Sequence, residues 1–286
     1  MPLTAVNDRE VAFRTACQHA RAAPLAAQAA LAFDNKAARV LGLNFANRLG
    51  IAAGFDKHGQ LGKAAAALGF GHIELGSWTL AHCTSALIQE PPAGVTAARI
   101  GVNLQIHDLS PTEFKTTLTT HLAQLATIAD YLSINVYESY SQDTLQTILQ
   151  RVIQVKTQQL NPAQHDAKHV PIVLKLHSSA HSDYLSSIMP RLQAFPVEGI
   201  AVSFDLGKPV TQHAFSFWQN PAAQAHACRQ LEFCRKTIPA QTALIAIGGV
   251  SQAQHYQDRL NAGADLVQLH NALVFNGVDI AYQVLR

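Results

Sequence analysis

The chain has 286 residues, of which 48% are hydrophobic and 14% charged, a composition that is typical of a globular protein and excludes a disordered one. Its net charge is +2 and it contains no run of lysine or arginine, so we expect no nucleic-acid partner. The four cysteines form no CxxC pair, which indicates reduced thiols in a cytoplasmic protein.

Residues 1–42 are predicted to form a short N-terminal helical extension. Their longest uncharged run, residues 22–33, is too short to span a bilayer and contains Pro24. The pattern favours one or two amphipathic helices outside the main domain. They could act as a helical cap on the fold, or as a surface for a membrane face or a lipophilic partner.

Residues 43–286 contain short apolar runs that alternate with stretches of helical period, such as residues 111–130, 141–159 and 251–263. Strands that alternate with helices indicate parallel βαβ units, and eight such units predict a closed (β/α)8 TIM barrel, an α/β fold. The eight predicted strands begin at Leu49, His72, Arg99, Tyr131, Pro171, Gly199, Ala243 and Asp265.

Polar side chains occur at the ends of several of these runs, where barrel enzymes place their chemistry. Burying an amide without a partner costs about 1–3 kcal/mol, and an unpaired ammonium costs more, so these residues need partners. Neighbouring side chains could supply them, but the clustering at one end of the barrel favours a polar ligand. Gly248 and Gly249 after strand seven, with a short helix after strand eight, indicate a phosphate on that ligand.

Two longer motifs identify a family. The segments LGIAAGFDKHG and LGFGHIELGSWT resemble the opening of class 2 (quinone-dependent) dihydroorotate dehydrogenase, an FMN enzyme with a (β/α)8 barrel. The runs IGVNL, YLSINV, VPIVLKL, VEGIAVSF, ALIAIGGVSQAQ and AGADLVQLHNALVFNG match the strands of that family in order. The resemblance implies oxidation of dihydroorotate to orotate in pyrimidine biosynthesis, with hydride transfer to flavin N5.

The resemblance also implies site residues. Lys175 would place a positive charge near the N1/O2 edge of the flavin, where negative charge develops on reduction. The FMN-binding positions that it implies are Ala53, Gly54, Lys57, Ser77, Asn103, Asn135, Lys175, Gly248, Gly249, His270 and Asn271. The positions that it implies for substrate binding are Lys57, Asn135, Tyr140 and Asp205.

The chain departs from the family where the family binds and deprotonates its substrate. The family's catalytic serine corresponds to Glu138, its substrate asparagines to Tyr140 and Asp205, and its pyrimidine-binding loop between strands two and three has no counterpart. Glu138 could be a general base, a recognition group for a cationic or hydroxylated ligand, or a solvated loop acid. His177 and Asp205 are alternative proton-transfer groups.

The prediction is therefore an FMN-dependent oxidoreductase with a diverged substrate site, in which Glu138 and Lys175 are catalytic. The alternative is a non-catalytic or repurposed flavin-binding paralogue that serves as a regulator or partner protein. Expected partners are a small-molecule substrate and a quinone or other lipophilic electron acceptor, with peripheral contact to the inner face of the cell membrane through the N-terminal helices. No metal site is expected, since His177 and His181 lack a third ligand.

Overall fold

The computed structural model of the protein describes residues 5–22, 37–79, 88–105, 125, 127–136, 142–159, 169–178, 184–192, 195–204 and 211–286. A two-stranded antiparallel hairpin, β1 (Ala38–Val40) and β2 (Leu43–Phe45), precedes a closed eight-stranded barrel. The barrel strands are β3 (Leu49–Ile51), β4 (His72–Thr79), β5 (Arg99–Gln105), β6 (Tyr131–Val136), β7 (Ile172–His177), β8 (Gly199–Ser203), β9 (Ala243–Ile247) and β10 (Leu266–Leu269).

All neighbouring barrel strands are parallel, and β10 pairs with β3 to close the cylinder. Every residue of β6, β8 and β9 is buried, because helices cover the outside of the barrel while side chains fill its inside. Such strands appear in a sequence as continuous apolar runs. The predicted (β/α)8 TIM barrel with an N-terminal helical extension is confirmed.

Helices connect the strands and surround them. Within the described residues, the helices are α1 (Ala5–Ala22), a 3-10 helix (Gly62–Leu68), α2 (Gln142–Gln159), α3 (Tyr184–Leu192), α4 (Gln212–Phe217), α5 (Pro221–Thr237), α6 (Ala253–Asn261), α7 (Asn271–Asn276) and α8 (Ile280–Leu285). The predicted helical stretches 141–159 and 251–263 contain α2 and α6, whereas most of 111–130 lies outside the described residues.

Two large rings fill the lower interior of the barrel where neighbouring strands carry glycine. A Cβ atom at Gly50 would overlap the imidazole of His72, and one at Gly101 would overlap the phenol of Tyr131. Glycine at these two positions therefore leaves the space that the rings occupy. Interior packing is dense enough that added methyl groups at such sites force a rearrangement.

The hairpin closes the N-terminal end of the barrel. The ring of Phe45 packs edge-to-face on His72 with centroids 5.4 Å apart, and Nε of Arg99 donates a 2.9 Å hydrogen bond to the carbonyl of Asn44. Val40 belongs to the same buried apolar cluster as Phe45. The domain boundary proposed between residues 42 and 43 stays a prediction; it falls between the two hairpin strands.

The N-terminal helix α1 packs on the opposite, carboxyl-terminal side of β3. Ala16 and Ala20 are buried in the main core, and the ring of Phe13 meets the ring of Phe55 edge-to-face at 5.6 Å. Phe55 lies in the loop that follows β3, so the extension contacts the end of the barrel at which chemistry is expected. In the part of the chain that the structure describes, no helix has the length and apolar character needed to cross a membrane.

The buried His72 side chain should make the free energy of unfolding depend on pH. The imidazole is fully buried, neither ring nitrogen has a hydrogen-bond partner within the described residues, and burial lowers its pKa to about 3. An unfolded histidine has a pKa of about 6.5, so below that pH the unfolded chain binds a proton that the native state does not bind. The free energy of unfolding should therefore fall by about 3 kcal/mol from this group between pH 6.5 and pH 4.

Urea unfolding of wild type and His72→Leu between pH 4 and pH 8 checks this expectation, since the variant should lose that part of the slope. The matched control is His213→Leu, which removes an exposed histidine of α4. Equal pH slopes for wild type and His72→Leu would contradict the assignment.

Candidate active site

Buried polar side chains gather at the carboxyl ends of the barrel strands. Asn103 lies on β5, Asn135 on β6 and Lys175 on β7, while His270 and Asn271 follow β10, and all five are buried. The strand register places Asn135 directly beside Lys175. The structure therefore brings together the polar residues that the sequence predicts at this end.

The two asparagines bind each other. Nδ2 of Asn135 donates to Oδ1 of Asn103 at 3.0 Å, and Nδ2 of Asn103 donates to Oδ1 of Asn135 at 3.2 Å. The hydroxyl of Ser77 donates to Oδ1 of Asn103 at 2.6 Å, and that of Ser133 accepts from Nδ2 of Asn103 at 3.3 Å. Neighbouring side chains thus satisfy these amides, and the mutual bonds fix their orientation before any ligand binds.

Lys175 forms an ion pair inside the barrel. Its Nζ lies 3.1 Å from Oε1 of Glu74, with side-chain exposures of 8% and 0% for the two residues. Oε2 of Glu74 accepts longer bonds from the hydroxyl of Tyr131 at 3.5 Å and from Nε2 of Gln268 at 3.3 Å, and the same Nε2 donates to the Tyr131 oxygen at 3.0 Å. Burial and the Glu74 charge raise the pKa of Tyr131 well above its usual range, which keeps the phenol neutral.

The loop after β3 is ordered by one carboxylate. Oδ1 of Asp56 accepts hydrogen bonds from three backbone N–H groups and Oδ2 from two, at 2.8–3.2 Å, contributed by residues 58–62. These bonds fix the loop that carries the predicted residues Ala53, Gly54 and Lys57. Ala53 is half-buried and Lys57 is exposed, and Gly54 adopts φ +103°, a conformation that favours glycine.

The glycine pair after β9 lies beside the residues that follow β10. Gly248 and Gly249 both adopt positive φ, and the N–H of Gly248 donates to the carbonyl of Gln268 at 2.8 Å. Nδ1 of His270 lies 2.9 Å from Oδ1 of Asn271. The structure therefore places these four predicted phosphate residues around one point, where β9 and β10 end.

A small cavity lies at that point, with a volume of about 10 Å³, lined by Gly249, His270 and Asn271 together with Phe215 and Trp218. This space holds about one water molecule. The indole N–H of Trp218 is buried and has no acceptor within the described residues. A buried indole N–H that lacks an acceptor suits an anion such as a phosphate.

Several residues of this end were not predicted as site residues. Glu74 and Gln268 lie within apolar runs, Asp56 lies within the FDK motif, and Nε2 of Gln224 donates to the Gly249 carbonyl at 2.6 Å. A polar residue inside a run that is otherwise buried was the available signal for Glu74 and Gln268. Nothing in the local pattern distinguishes Gln224, whose partner is 25 residues away.

Three predicted residues, Glu138, Tyr140 and Asp205, lie outside the described residues, and their roles stay predictions. His177, the alternative proton-transfer group, ends β7 and is exposed. Among the described residues there is no group of three or more histidine, cysteine, aspartate or glutamate side chains that could hold a metal ion.

Comparisons with known proteins give a consistent result. A family model described as dihydroorotate dehydrogenase matches residues 84–286. Dihydroorotate dehydrogenase (quinone) of Dichelobacter nodosus is 29% identical over 86% of this chain and 85% of its own length, and that of Acinetobacter baylyi is 26% identical over 84% of each. The ligand-free type DHODH structure from Eimeria tenella superposes with a TM-score of 0.70 at 16% identity, covering 97% of this chain and 92% of that one, which supports the fold.

Hydrogen bonds from Arg9 attach helix α1 to the loop after β3. Its Nη1 donates to the carbonyl of Gly54 at 2.9 Å and, at 3.5 Å, to that of Phe55. A hydrogen bond from a charged group is worth about 1.5–3 kcal/mol, so Arg9→Gln should speed amide hydrogen exchange in α1 at least tenfold. The measurement is hydrogen–deuterium exchange followed by mass spectrometry.

The matched control for this prediction is Arg14→Gln. Arg14 also pairs with Glu10 on the same helix, at 3.6 Å, but its side chain is 70% exposed. Exchange in α1 should be unchanged in this variant. Equal acceleration in both variants would show that the carbonyl contacts of Arg9 do not hold the helix.

Proposed function

This chain belongs to the dihydroorotate dehydrogenase family, and from that premise we propose that it is an FMN-dependent enzyme whose substrate lies against the flavin at the carboxyl end of the barrel. Membership confirms the predicted resemblance and makes the protein an oxidoreductase of the dihydroorotate dehydrogenase type. The observation that carries the finer proposal is the cluster of a buried ammonium, Lys175, and two oriented amides, Asn103 and Asn135, at one end of the barrel.

The described residues supply donors of the kind that FMN requires. Lys175 would face the N1/O2 edge of the ring, and Asn135, whose amide has a second N–H, would hydrogen-bond the ring or the substrate beside it. Asn103 and Ser77 would do so by exchanging a present partner for the ligand. The phosphate would be held by the residues at the ends of β9 and β10, Gly248, Gly249, His270 and Asn271. Because Gly54 has no side chain and that of Ala53 is small, the flavin could approach the backbone of the loop after β3 closely.

The reaction proposed by family default is the oxidation of dihydroorotate to orotate. The substrate loses a hydride and a proton, and the bound flavin supplies the chemistry that accepts the hydride and later passes the electron pair to an acceptor. The proton goes to a base on the protein, for which we propose Glu138, because it stands at the position of the family's catalytic serine. Lys57, Tyr140 and Asp205 are the other groups that we assign to the substrate.

The proposed electron acceptor is a quinone or another lipophilic molecule. The relatives from Dichelobacter nodosus and Acinetobacter baylyi are named as quinone enzymes, and α1 contacts the loop after β3 through Arg9 and Phe13. A peripheral contact of the N-terminal helices with the inner face of the cell membrane would place this side of the barrel near such an acceptor.

A second candidate function is a paralogue that has lost dehydrogenase activity and acts as a regulator or partner protein. Two observations favour it. Tyr140 and Asp205 replace the family's substrate asparagines, and the cavity is lined by the bulky side chains of Phe215 and Trp218, which lie where the family has a Gly-Gly-Leu-Ser-Gly element. A site that loses hydrogen-bonding groups for its substrate loses discrimination, since unpaired buried groups cost about 1–3 kcal/mol each.

Spectroscopy of the purified protein separates the two functions. We expect flavin absorbance that is bleached by dihydroorotate under anaerobic conditions and restored by a quinone. Flavin that is not bleached keeps FMN binding but contradicts dihydroorotate as the substrate, which leaves another substrate or a flavin-binding paralogue without dehydrogenase activity. Protein that is colourless and does not bind added FMN in equilibrium dialysis contradicts the FMN proposal and supports a paralogue that acts without flavin.

Glu138→Gln tests the base. Glutamine retains the size of the side chain but cannot accept the substrate proton, so turnover should fall by a factor of about 100 to 10,000 while FMN remains bound. The comparison variant is Glu138→Ser, which installs the family's own base and should retain more activity than Glu138→Gln. Full turnover in Glu138→Gln would contradict the assignment and favour a solvated loop acid.

A further inference from the structure

Glu74 contacts Lys175, the group that would meet the flavin, inside the barrel. The strand register pairs Glu74 with Gly101, two residues before Asn103 on β5, and pairs Lys175 with Asn135. The Glu74 and Lys175 side chains are both buried, and Lys175 lies beside Asn135, at the end of the barrel where we propose that the flavin binds. The 3.1 Å contact with Glu74 leaves Lys175 further N–H donors, since an ammonium has three.

The second carboxylate oxygen of Glu74, the one that does not contact Lys175, accepts hydrogen bonds from neutral side chains. Oε2 of Glu74 accepts from Tyr131 and Gln268, which come from β6 and β10 on other sides of the barrel. Below it, His72 is neutral because burial lowers its pKa to about 3. The negative charge of Glu74 and the positive charge of Lys175 therefore cancel, and the neutral groups around them add no net charge.

We propose that Glu74 is a positioning and charge-balancing residue: it orients the Lys175 ammonium toward the flavin and, by its own negative charge, lowers the reduction potential of that flavin. This inference rests on the proposed FMN function. A positive charge beside a flavin stabilises the negative charge that develops on reduction, and a carboxylate in contact with that positive charge opposes the effect. The pair therefore acts on the flavin as a dipole rather than as a full positive charge.

Removing one or the other charge of the pair should shift the flavin reduction potential in opposite directions. Glu74→Gln leaves a net positive interior and should favour flavin reduction at least tenfold in the equilibrium constant, which for a two-electron couple is a rise of about 30 mV. Lys175→Met leaves a net negative interior and should disfavour reduction by at least the same factor. The double variant restores neutrality and should lie between the two single variants, near wild type.

The experiment is a redox titration of flavin in the purified holoprotein. Wild type, Glu74→Gln, Lys175→Met and the double variant are all compared at pH 7, so that Glu74→Gln is tested both in the wild-type background and in the Lys175→Met background. The second comparison also serves if Glu74→Gln alone does not fold. If Glu74→Gln does not raise the flavin reduction potential in either the wild-type or the Lys175→Met background, the inference is overturned.

Gln268→Met is the control for a role of Glu74 in packing alone. It removes the 3.3 Å bond to Oε2 of Glu74 and alters no charge, so the equilibrium constant for reduction should change by less than tenfold. A change as large as that of Glu74→Gln would show that packing, not charge, sets the potential, and would overturn the inference. Wild-type protein that holds no flavin would overturn the proposed function as well, whereas flavin with an unaltered potential overturns this inference only.

Discussion

The ion pair between Lys175 and Glu74 is the interaction on which the interior of this barrel depends. Moving a single charge into a protein interior costs several kcal/mol, and an unpaired partner is left when either residue is removed. Both side chains are almost fully buried, so each makes the burial of the other tolerable. Tyr131 and Gln268 complete the set of bonds on the carboxylate, which links strands on several sides of the cylinder.

The barrel interior changes in polarity from one end to the other. At the closed end, the hairpin residue Phe45 and the neutral ring of His72 form an apolar layer, whereas the ion pair and the Asn103–Asn135 pair lie toward the open end. This order follows from strand geometry, since side chains two residues apart point to the same side and form successive layers. A polar ligand therefore finds matching groups at the open end.

Much of the fold could be predicted from the sequence, and the reasons are specific. Parallel strands buried on both faces leave continuous apolar runs, and each of the eight runs contains a barrel strand. The strands of the hairpin have three residues each, too few to show a period. The role of Glu74 was not predictable, because its partner Lys175 is 101 positions away and only closure of the barrel brings them together.

Because the buried polar residues are paired with one another, the barrel interior can keep the residues of the family while the substrate-binding positions change. Asn103 and Asn135 satisfy each other, and Lys175 satisfies Glu74, so replacing any one of them leaves a buried polar group unpaired. Loop residues that face solvent carry no such penalty, and a change there alters recognition at little cost in stability. Such positions can therefore change the chemistry performed on a substrate, while the inner residues that we propose to meet the cofactor remain tied to one another.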